Sequence, residues 1–202
     1  MTKAEWRASI TAARDALSLE QIEAKSAAIR EPLCALPEFE AAGTVLLYAT
    51  YGSEVRTVPI IERALAAGKR VALPLIEREA NRLRPLQIRS LADDTVPGVW
   101  GIPQPVPARC PELHLAAFDL ILTPGVGFDE RCYRLGHGKG YYDRLLKAAR
   151  EARPRVLAVA AAFDLQVVAE LPVEPHDQSV DLIFTESRVL VREHAWLATG
   201  SP

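Results

Sequence analysis

The segment RLGHGKGYYDR, which spans residues 134–144, places three glycines at alternate positions among basic side chains. Because glycine has no Cβ, successive backbone N–H groups of such a loop can approach a ligand closely. A loop of this kind at the start of a helix is a typical phosphate site, since free N–H groups and the helix dipole both favour an anion. Further positive charge comes from Arg134, His137 and Lys139.

Asp143 lies in the first turn of the helix predicted to follow this loop. Carboxylates beside bound phosphates commonly hold magnesium, so the cationic loop, the helix start and Asp143 together predict a nucleoside triphosphate site. The alternative is an ordinary glycine-rich turn with solvated charges, and the combination of three glycines with basic and acidic residues favours phosphate binding. The spacing is neither G-x-G-x-x-G nor G-x-x-x-x-G-K-[ST], so the pattern alone does not name the nucleotide.

Other polar residues are weaker candidates when they are taken singly. Lys3 and Arg7 lie one helical turn apart and could reach a polyphosphate, although this spacing alone is more typical of a solvated face. Glu54 follows a predicted buried strand, in the loop YGSEVRT, and could orient a polar substrate group, although loop glutamates are usually exposed. In LPVEPHDQSVD, Asp177 is a better oxygen ligand for magnesium than His176 is a ligand for zinc.

The length and composition bound the class of protein. A chain of 202 residues and 22.2 kDa can build one full-sized core, which predicts a single domain over residues 1–202. A formal net charge of -2 argues against general nucleic-acid binding. The three cysteines have no C-x-x-C spacing, no secretory signal begins the chain, and no apolar run is long enough to cross a bilayer. We therefore expect a cytoplasmic protein without membrane contacts, either a monomer or a weak homo-oligomer.

The hydrophobic pattern predicts an α/β fold. Helices are expected over residues 2–17, where Lys3, Arg7 and Arg14 take a face away from the apolar one, and from the cap Ser18 to about Arg30. TVLLYA, a helix starting at Thr57 and RVALP form a strand–helix–strand unit. FDLILTPG, YYDRLLKAAREA, VLAVAAA, DLQVVAEL and DLIFTES continue as strand, helix, strand, short helix and last strand. Such alternation predicts a largely parallel sheet covered on both faces, with ligands beyond the carboxyl ends of its strands.

Two segments fit this pattern less well. Pro32 and Pro37 are predicted to bound a loop, and residues 74–107 are predicted to be an irregular excursion in which LRPLQI is the single strand. The sequence contains no G-x-S-x-G motif and no cysteine in a recognisable nucleophile setting. Covalent catalysis is therefore not indicated.

The ordered set of motifs resembles the 5-formyltetrahydrofolate cyclo-ligase family over nearly the whole chain. RLGHGKGYYDR is similar to that family's most specific pattern, R-L-G-x-G-x-G-Y-Y-D. The other carriers are the K-x3-R of Lys3 and Arg7, YGSEVRT, GKRVALP, GIPQP, LTPGVGFD and LPVEPHDQSVDLIFTES.

The resemblance implies ATP- and magnesium-dependent ring closure of 5-formyltetrahydrofolate to 5,10-methenyltetrahydrofolate, with release of ADP and phosphate. The formyl oxygen attacks the γ-phosphate, the neighbouring amine closes on the activated carbon, and phosphate leaves. The implied fold is a three-layer α/β/α arrangement with a mostly parallel sheet, similar to ribose-5-phosphate isomerase and the CoA transferases.

The resemblance also assigns residues by position. The ATP contacts are Lys3, Arg7, Arg134, Leu135, Gly136, His137, Gly138, Lys139, Gly140, Tyr141 and Tyr142. The magnesium carboxylates are Asp143 and Asp177, and the substrate contacts are Glu54, Trp100 and Tyr142. Catalytic roles fall to Glu54, Arg134 and Lys139.

Gln104 departs from the family pattern, in which an acidic residue is common at this position. This change motivates an alternative, a non-catalytic nucleotide- or folate-binding protein of the same fold. A third interpretation, an isomerase or deaminase acting on a sugar phosphate, has only fold analogy in its favour.

Overall fold

The computed structural model describes residues 1–98 and 101–193, in which helices and strands alternate along most of the chain. The helices are α1 (Lys3–Asp15), α2 (Leu19–Cys34), α3 (Pro37–Ala41), α4 (Val58–Ala66), α5 (Leu91–Asp94) and α6 (Tyr141–Ala152). The strands are β1 (Thr44–Leu46), β2 (Arg70–Glu77), β3 (Arg82–Ile88), β4 (Thr95–Pro97), β5 (Pro103–Pro105), β6 (Leu120–Thr123), β7 (Gly127–Asp129), β8 (Arg134–Leu135), β9 (Leu157–Ala161), β10 (Val167–Val168), β11 (Leu182–Phe184) and β12 (Val189–Val191).

A seven-stranded sheet in the order β12-β11-β9-β6-β1-β2-β3 forms the centre of the fold. The strands from β11 to β2 pair in parallel, whereas β12 and β3 add antiparallel edges. Two small sheets, β10-β7-β8 and β4-β5, lie beside it. The mostly parallel sheet is confirmed.

The central strands are buried on both faces, which explains their continuous apolar sequence. In β6, Leu120 and Leu122 belong to one hydrophobic core together with α2, α3 and α4. Ile121 points the other way, into a second core that contains Leu146 of α6. Helices therefore cover both faces of the sheet, and the three-layer α/β/α prediction is confirmed.

The two N-terminal helices begin where the sequence predicts. Thr2 and Ser18 each accept a hydrogen bond from the backbone three residues on, and the side chain at that position bonds back to the cap. The predicted end of α2 near Arg30 is wrong, because the helix runs through Pro32 to Cys34. Proline there removes one backbone donor, while the complete burial of Leu33 holds the last turn against the core.

Residues 74–107 are more regular than predicted. β2 continues to Glu77 and forms a seven-residue antiparallel register with β3. Arg82 and Arg84 both pair with Glu77 across this hairpin, at 2.7 and 2.9 Å. The predicted strand LRPLQI is found as β3, whereas the extension of β2, the short helix α5 and the strands β4 and β5 were not predicted, because each is short or rich in proline and charge.

Two predictions near the C-terminus are also wrong. DLQVVAEL forms a single 3-10 turn, Asp164–Gln166, followed by β10, because the buried Gln166 side chain bonds to the carbonyls of Gly125 and Val126 and to the N–H of Phe163. DLIFTES is not the last strand, since β12 pairs antiparallel with it.

Candidate active site

A cavity of about 940 Å³ opens beyond the carboxyl ends of the parallel strands β1, β2 and β6. This is where an open α/β sheet usually binds its ligand. All the predicted site residues that the structure describes line this cavity. Trp100, the remaining predicted site residue, lies outside the described residues.

The glycine-rich loop links β8 to α6 and forms the cationic end of the cavity. Gly138 (φ +93°) and Gly140 (φ +64°) adopt the left-handed backbone that side chains disfavour, and Gly140 caps α6 without a side-chain acceptor. Within residues 1–98 and 101–193, nothing accepts a hydrogen bond from the backbone N–H groups of residues 136–143. A run of free donors at a helix N-terminus is suited to a phosphate chain.

Helix α1 brings two further cations to this end of the cavity. Arg7 Nε donates a hydrogen bond to the carbonyl oxygen of Gly136 at 2.7 Å, and its guanidinium lies close to Gly138. Lys3 Nζ lies 2.7 Å from Asp177 Oδ2. The structure thus brings Lys3 and Arg7 to the glycine loop, 129 or more residues away along the chain.

A second carboxylate, Glu174, accompanies Asp177 beside Lys3. Lys3 Nζ lies 2.9 Å from Glu174 Oε2, and ligand atoms of Glu174, His176 and Asp177 lie within 4.8 Å of one another. Partial burial alone would raise the pKa of Asp177, but the hydrogen bonds from Lys3 and the Glu174 N–H lower it. Sequence reasoning missed Glu174, although its place three residues before Asp177 in a proline-bounded turn was a signal.

The other predicted magnesium ligand, Asp143, has a different environment. Its Oδ1 lies 2.9 Å from a terminal nitrogen of Arg134 and accepts a hydrogen bond from the backbone of Gln178 at 3.1 Å. The Arg134 side chain is 3% exposed and lies over the ring of Tyr142. Burial lowers the pKa of Arg134 and the Asp143 carboxylate opposes that shift, so the buried guanidinium is stabilised by its carboxylate partner.

Glu54 lines the same cavity and is buried, unlike most loop glutamates. One carboxylate oxygen accepts a hydrogen bond from the Tyr51 N–H at 3.0 Å. Burial raises the pKa of Glu54, while that hydrogen bond and the positive charge of Arg14 act in the opposite direction. Burial likewise raises the pKa of the neighbouring phenols of Tyr48 and Tyr142.

His137 lies on the glycine loop with an exposed side chain at the mouth of the cavity. Partial desolvation there lowers its pKa, and the positive charges of Arg14 and Arg7 lower it further. A pKa below that of free histidine makes the imidazole neutral at neutral pH. His137 therefore differs from Lys139, which carries a full charge on the same loop.

The α/β fold and its cavity define a class of protein. In this class a cationic glycine loop, carboxylates and a buried glutamate line the same cavity. The model of the 5-formyltetrahydrofolate cyclo-ligase family matches residues 1–186. A solved structure, the 5,10-methenyltetrahydrofolate synthetase of Aquifex aeolicus, superposes with a TM-score of 0.82 at 34% identity and covers 98% of this chain and 96% of its own.

Two curated relatives agree with this match. The 5-formyltetrahydrofolate cyclo-ligase of Escherichia coli K12 is 33% identical over 177 residues, which are 87% of this chain and 96% of the relative. The mouse protein of the same name is 30% identical over 85% of this chain and 87% of its own length. The chain therefore belongs to the 5-formyltetrahydrofolate cyclo-ligase family, and it is an enzyme, a ligase of folate one-carbon metabolism.

The compartment is less constrained. Among the described helices, none has the length and apolar character needed to span a membrane. One relative, from Arabidopsis thaliana, is named as mitochondrial. The cytoplasmic location expected from the sequence therefore stays a prediction.

Proposed function

We propose that this enzyme converts 5-formyltetrahydrofolate and ATP into 5,10-methenyltetrahydrofolate, ADP and phosphate. The observation that carries the proposal is one cavity that is lined both by a cationic, N–H-rich loop and by a buried carboxylate, Glu54. Such a cavity can hold a nucleotide and a second substrate side by side. Membership of the 5-formyltetrahydrofolate cyclo-ligase family supports the choice of the folate, and the motif resemblance described above implies ATP as the nucleotide.

The glycine-loop end is the proposed site of the ATP phosphates. Phosphoryl transfer depends mainly on positioning and on neutralising charge, which backbone N–H groups and cations can do without a covalent nucleophile. Lys139 and Arg134 are proposed to stabilise the transferring phosphoryl group. Lys3 and Arg7 are proposed to hold the phosphate chain from the side of α1.

Magnesium fits the oxygen donors at this end. Asp177 and Asp143, with Glu174 beside them, offer the hard carboxylate ligands that this ion prefers. Lys3 pairs with Asp177 and Arg134 pairs with Asp143, so each carboxylate lies beside a positive charge. When bound there with ATP, magnesium would neutralise charge on the phosphate oxygens.

The Glu54 end is proposed to receive the folate. Glu54, Tyr142 and Trp100 are proposed to contact the ring system, and Ile102 and Leu83 add apolar lining. The formyl oxygen would attack the γ-phosphorus as the bond to ADP breaks. The neighbouring amine nitrogen would then attack the activated carbon to form a carbon–nitrogen bond. The carbon–oxygen bond to phosphate would break, and the departing phosphate would take the proton that the amine loses.

The direct test follows absorbance in the band of the methenyl product, using purified protein, 5-formyltetrahydrofolate, ATP and magnesium. We expect a rise that requires ATP and is accompanied by one phosphate released per product formed. No ATP-dependent rise at saturating substrate would refute the proposal. Folate binding without phosphate release would instead support the non-catalytic alternative that Gln104 suggested.

A further inference from the structure

Arg14 is a buried cation outside the set of residues assigned above. It lies in the last turn of α1, is 3% exposed, and has an Nη1 atom with no hydrogen-bond partner within the described chain. A buried charged group without a full set of partners costs free energy. A cation kept there despite this cost suggests a role beyond packing.

The contacts of Arg14 lead to the loop that carries Glu54. Arg14 Nε donates a hydrogen bond to Ser53 Oγ at 2.9 Å, and the Ser53 hydroxyl donates in turn to the carboxylate of Asp15. Two consecutive residues of α1, Arg14 and Asp15, therefore both form hydrogen bonds with Ser53, which precedes Glu54 in the chain. The helix that carries Lys3 and Arg7 therefore also holds the loop of Glu54, and all three residues line the same cavity.

The positive charge of Arg14 also affects the ionisation of Glu54 in this loop. The groups that face Glu54 are Arg14 from α1, the Tyr48 phenol beyond β1, the Tyr142 phenol from α6 and the Tyr51 N–H of its own loop. Burial favours a neutral Glu54, whereas the Tyr51 N–H and Arg14 favour its ionised form. Arg14 is the cation in this set, and it also opposes protonation of His137 on the glycine loop.

We propose that Arg14 is a positioning residue of the reaction, which fixes the 51–54 loop through Ser53 and keeps Glu54 ionised inside the folate end of the cavity. The inference rests on the proposed function, because it assumes that Glu54 faces the folate. Arg14 acts through Glu54, since its own Nη1 is enclosed and Arg14 is not among the residues that line the cavity.

The proposal predicts two separate effects of Arg14, one from its charge and one from its hydrogen bond to Ser53. Different variants isolate these effects. Arg14→Met removes the charge and the hydrogen bond, Arg14→Lys keeps the charge, and Ser53→Ala removes the tether while keeping the charge. With Arg14→Met we expect kcat/KM for the folate to fall about tenfold more at the acidic end of the pH profile than at its neutral end. Arg14→Lys should keep the wild-type pH dependence of kcat/KM at the acidic end of the profile. Ser53→Ala should raise the folate KM a few-fold without changing that pH dependence.

Calorimetric binding of 5-formyltetrahydrofolate across the acidic to neutral range measures the same effect without turnover. It therefore separates failure of this inference from failure of the proposed reaction. In a Glu54→Gln background, Arg14→Met should no longer alter the pH dependence, because no carboxyl group remains to titrate. Arg63→Met, which removes an exposed cation of α4 paired with Glu31, is the matched control and should leave the profile unchanged.

Folding is checked by thermal denaturation of every variant. If Arg14→Met does not fold, Arg14→Gln provides a neutral side chain that can still donate to Ser53. The same larger fall of kcat/KM at the acidic end of the pH profile is expected for Arg14→Gln. A folded neutral variant with the wild-type pH dependence of folate binding would overturn the inference. So would an Arg14→Met effect that persists in the Glu54→Gln background.

Discussion

Lys139 is the exposed cation of the glycine loop, and its proposed target is a phosphate oxygen. Because a charge-assisted hydrogen bond contributes about 1.5–3 kcal/mol, we expect Lys139→Ala to raise the KM for ATP at least about tenfold. Initial rates at varied ATP measure this effect. Lys147→Ala, which removes an exposed lysine from the outer part of α6, is the control and should leave the ATP KM unchanged.

Asp143 has a structural partner as well as its proposed metal role. Asp143→Asn should abolish magnesium-dependent turnover, and it should also leave the buried Arg134 without a carboxylate. Since removing the charged partner of a buried hydrogen bond costs about 1–3 kcal/mol, we expect a lower Tm with the fold retained. Circular dichroism melts and magnesium titrations of activity check the two effects, and wild-type values for both would contradict the assignment.

Burial of the Glu54 carboxylate lowers the stability of the fold at neutral pH, whereas the Asp143–Arg134 pair raises it. A carboxyl whose pKa is raised in the folded state binds its proton more tightly there, so stability falls as the pH rises from the unfolded pKa through the folded one. Glu54→Gln should therefore raise Tm at neutral pH by about 2–4 °C while it reduces turnover. Calorimetry at acidic and neutral pH tests the sign, and a neutral-pH Tm below wild type would contradict it.

The sequence predicts the glycine loop because its chemistry is contiguous along the chain. Glu54 and Arg14 were harder, since burial of a charged side chain depends on tertiary packing that no local pattern reports. Arg14 had one usable signal. Together with Lys3 and Arg7 it occupies a single helical face, and that face turns toward the site, where Lys3 and Arg7 line the cavity and Arg14 is buried.

At the scale of elements, periodicity predicts the central strands and α6 because both faces of the sheet demand apolar residues. It fails for β10 and for the part of β2 beyond Pro74. Gln166 determines the first through side-chain hydrogen bonds, and cross-strand ion pairs of Glu77 accompany the second. Both depend on partners that the local pattern does not reveal.

Gly140 joins loop and helix, and its left-handed backbone sets the direction of the free N–H groups. Gly140→Ala would strain this backbone by about 1–2 kcal/mol and bring a Cβ to 3.0 Å from Arg144. We expect the KM for ATP to rise about tenfold while the folate KM changes little. Steady-state kinetics with each substrate varied in turn measure the two values.

Gly68→Ala is the matched control for this backbone strain. Gly68 has a similar φ of +74°, lies beyond α4, and has open space around an added Cβ. Its substitution should lower Tm by a comparable amount without altering the ATP KM. Equal effects of both substitutions on ATP would mean that general destabilisation, rather than loop geometry, controls nucleotide binding.

For the whole molecule, the site links distant parts of the chain. The contact between Lys3 and Asp177 spans 174 residues, and the cavity also draws on β2, β6 and α6. Helices α2 and α4 pack on the sheet face opposite to α6, so the two cores share the strands between them. A ligand in this cavity would therefore contact segments from both halves of the sequence.

This arrangement predicts that residues 1–202 unfold as one cooperative unit whose stability responds as a whole to ligand. Differential scanning calorimetry should show one transition with equal calorimetric and van't Hoff enthalpies. ATP at about 100 times its Kd should stabilise the protein by about 2.7 kcal/mol and move the entire transition. Lys3→Ala should reduce this shift by weakening the link between α1 and the segment at Asp177. Two transitions, of which ATP moves only one, would show that the chain contains separate folding units and that the single-domain prediction is wrong.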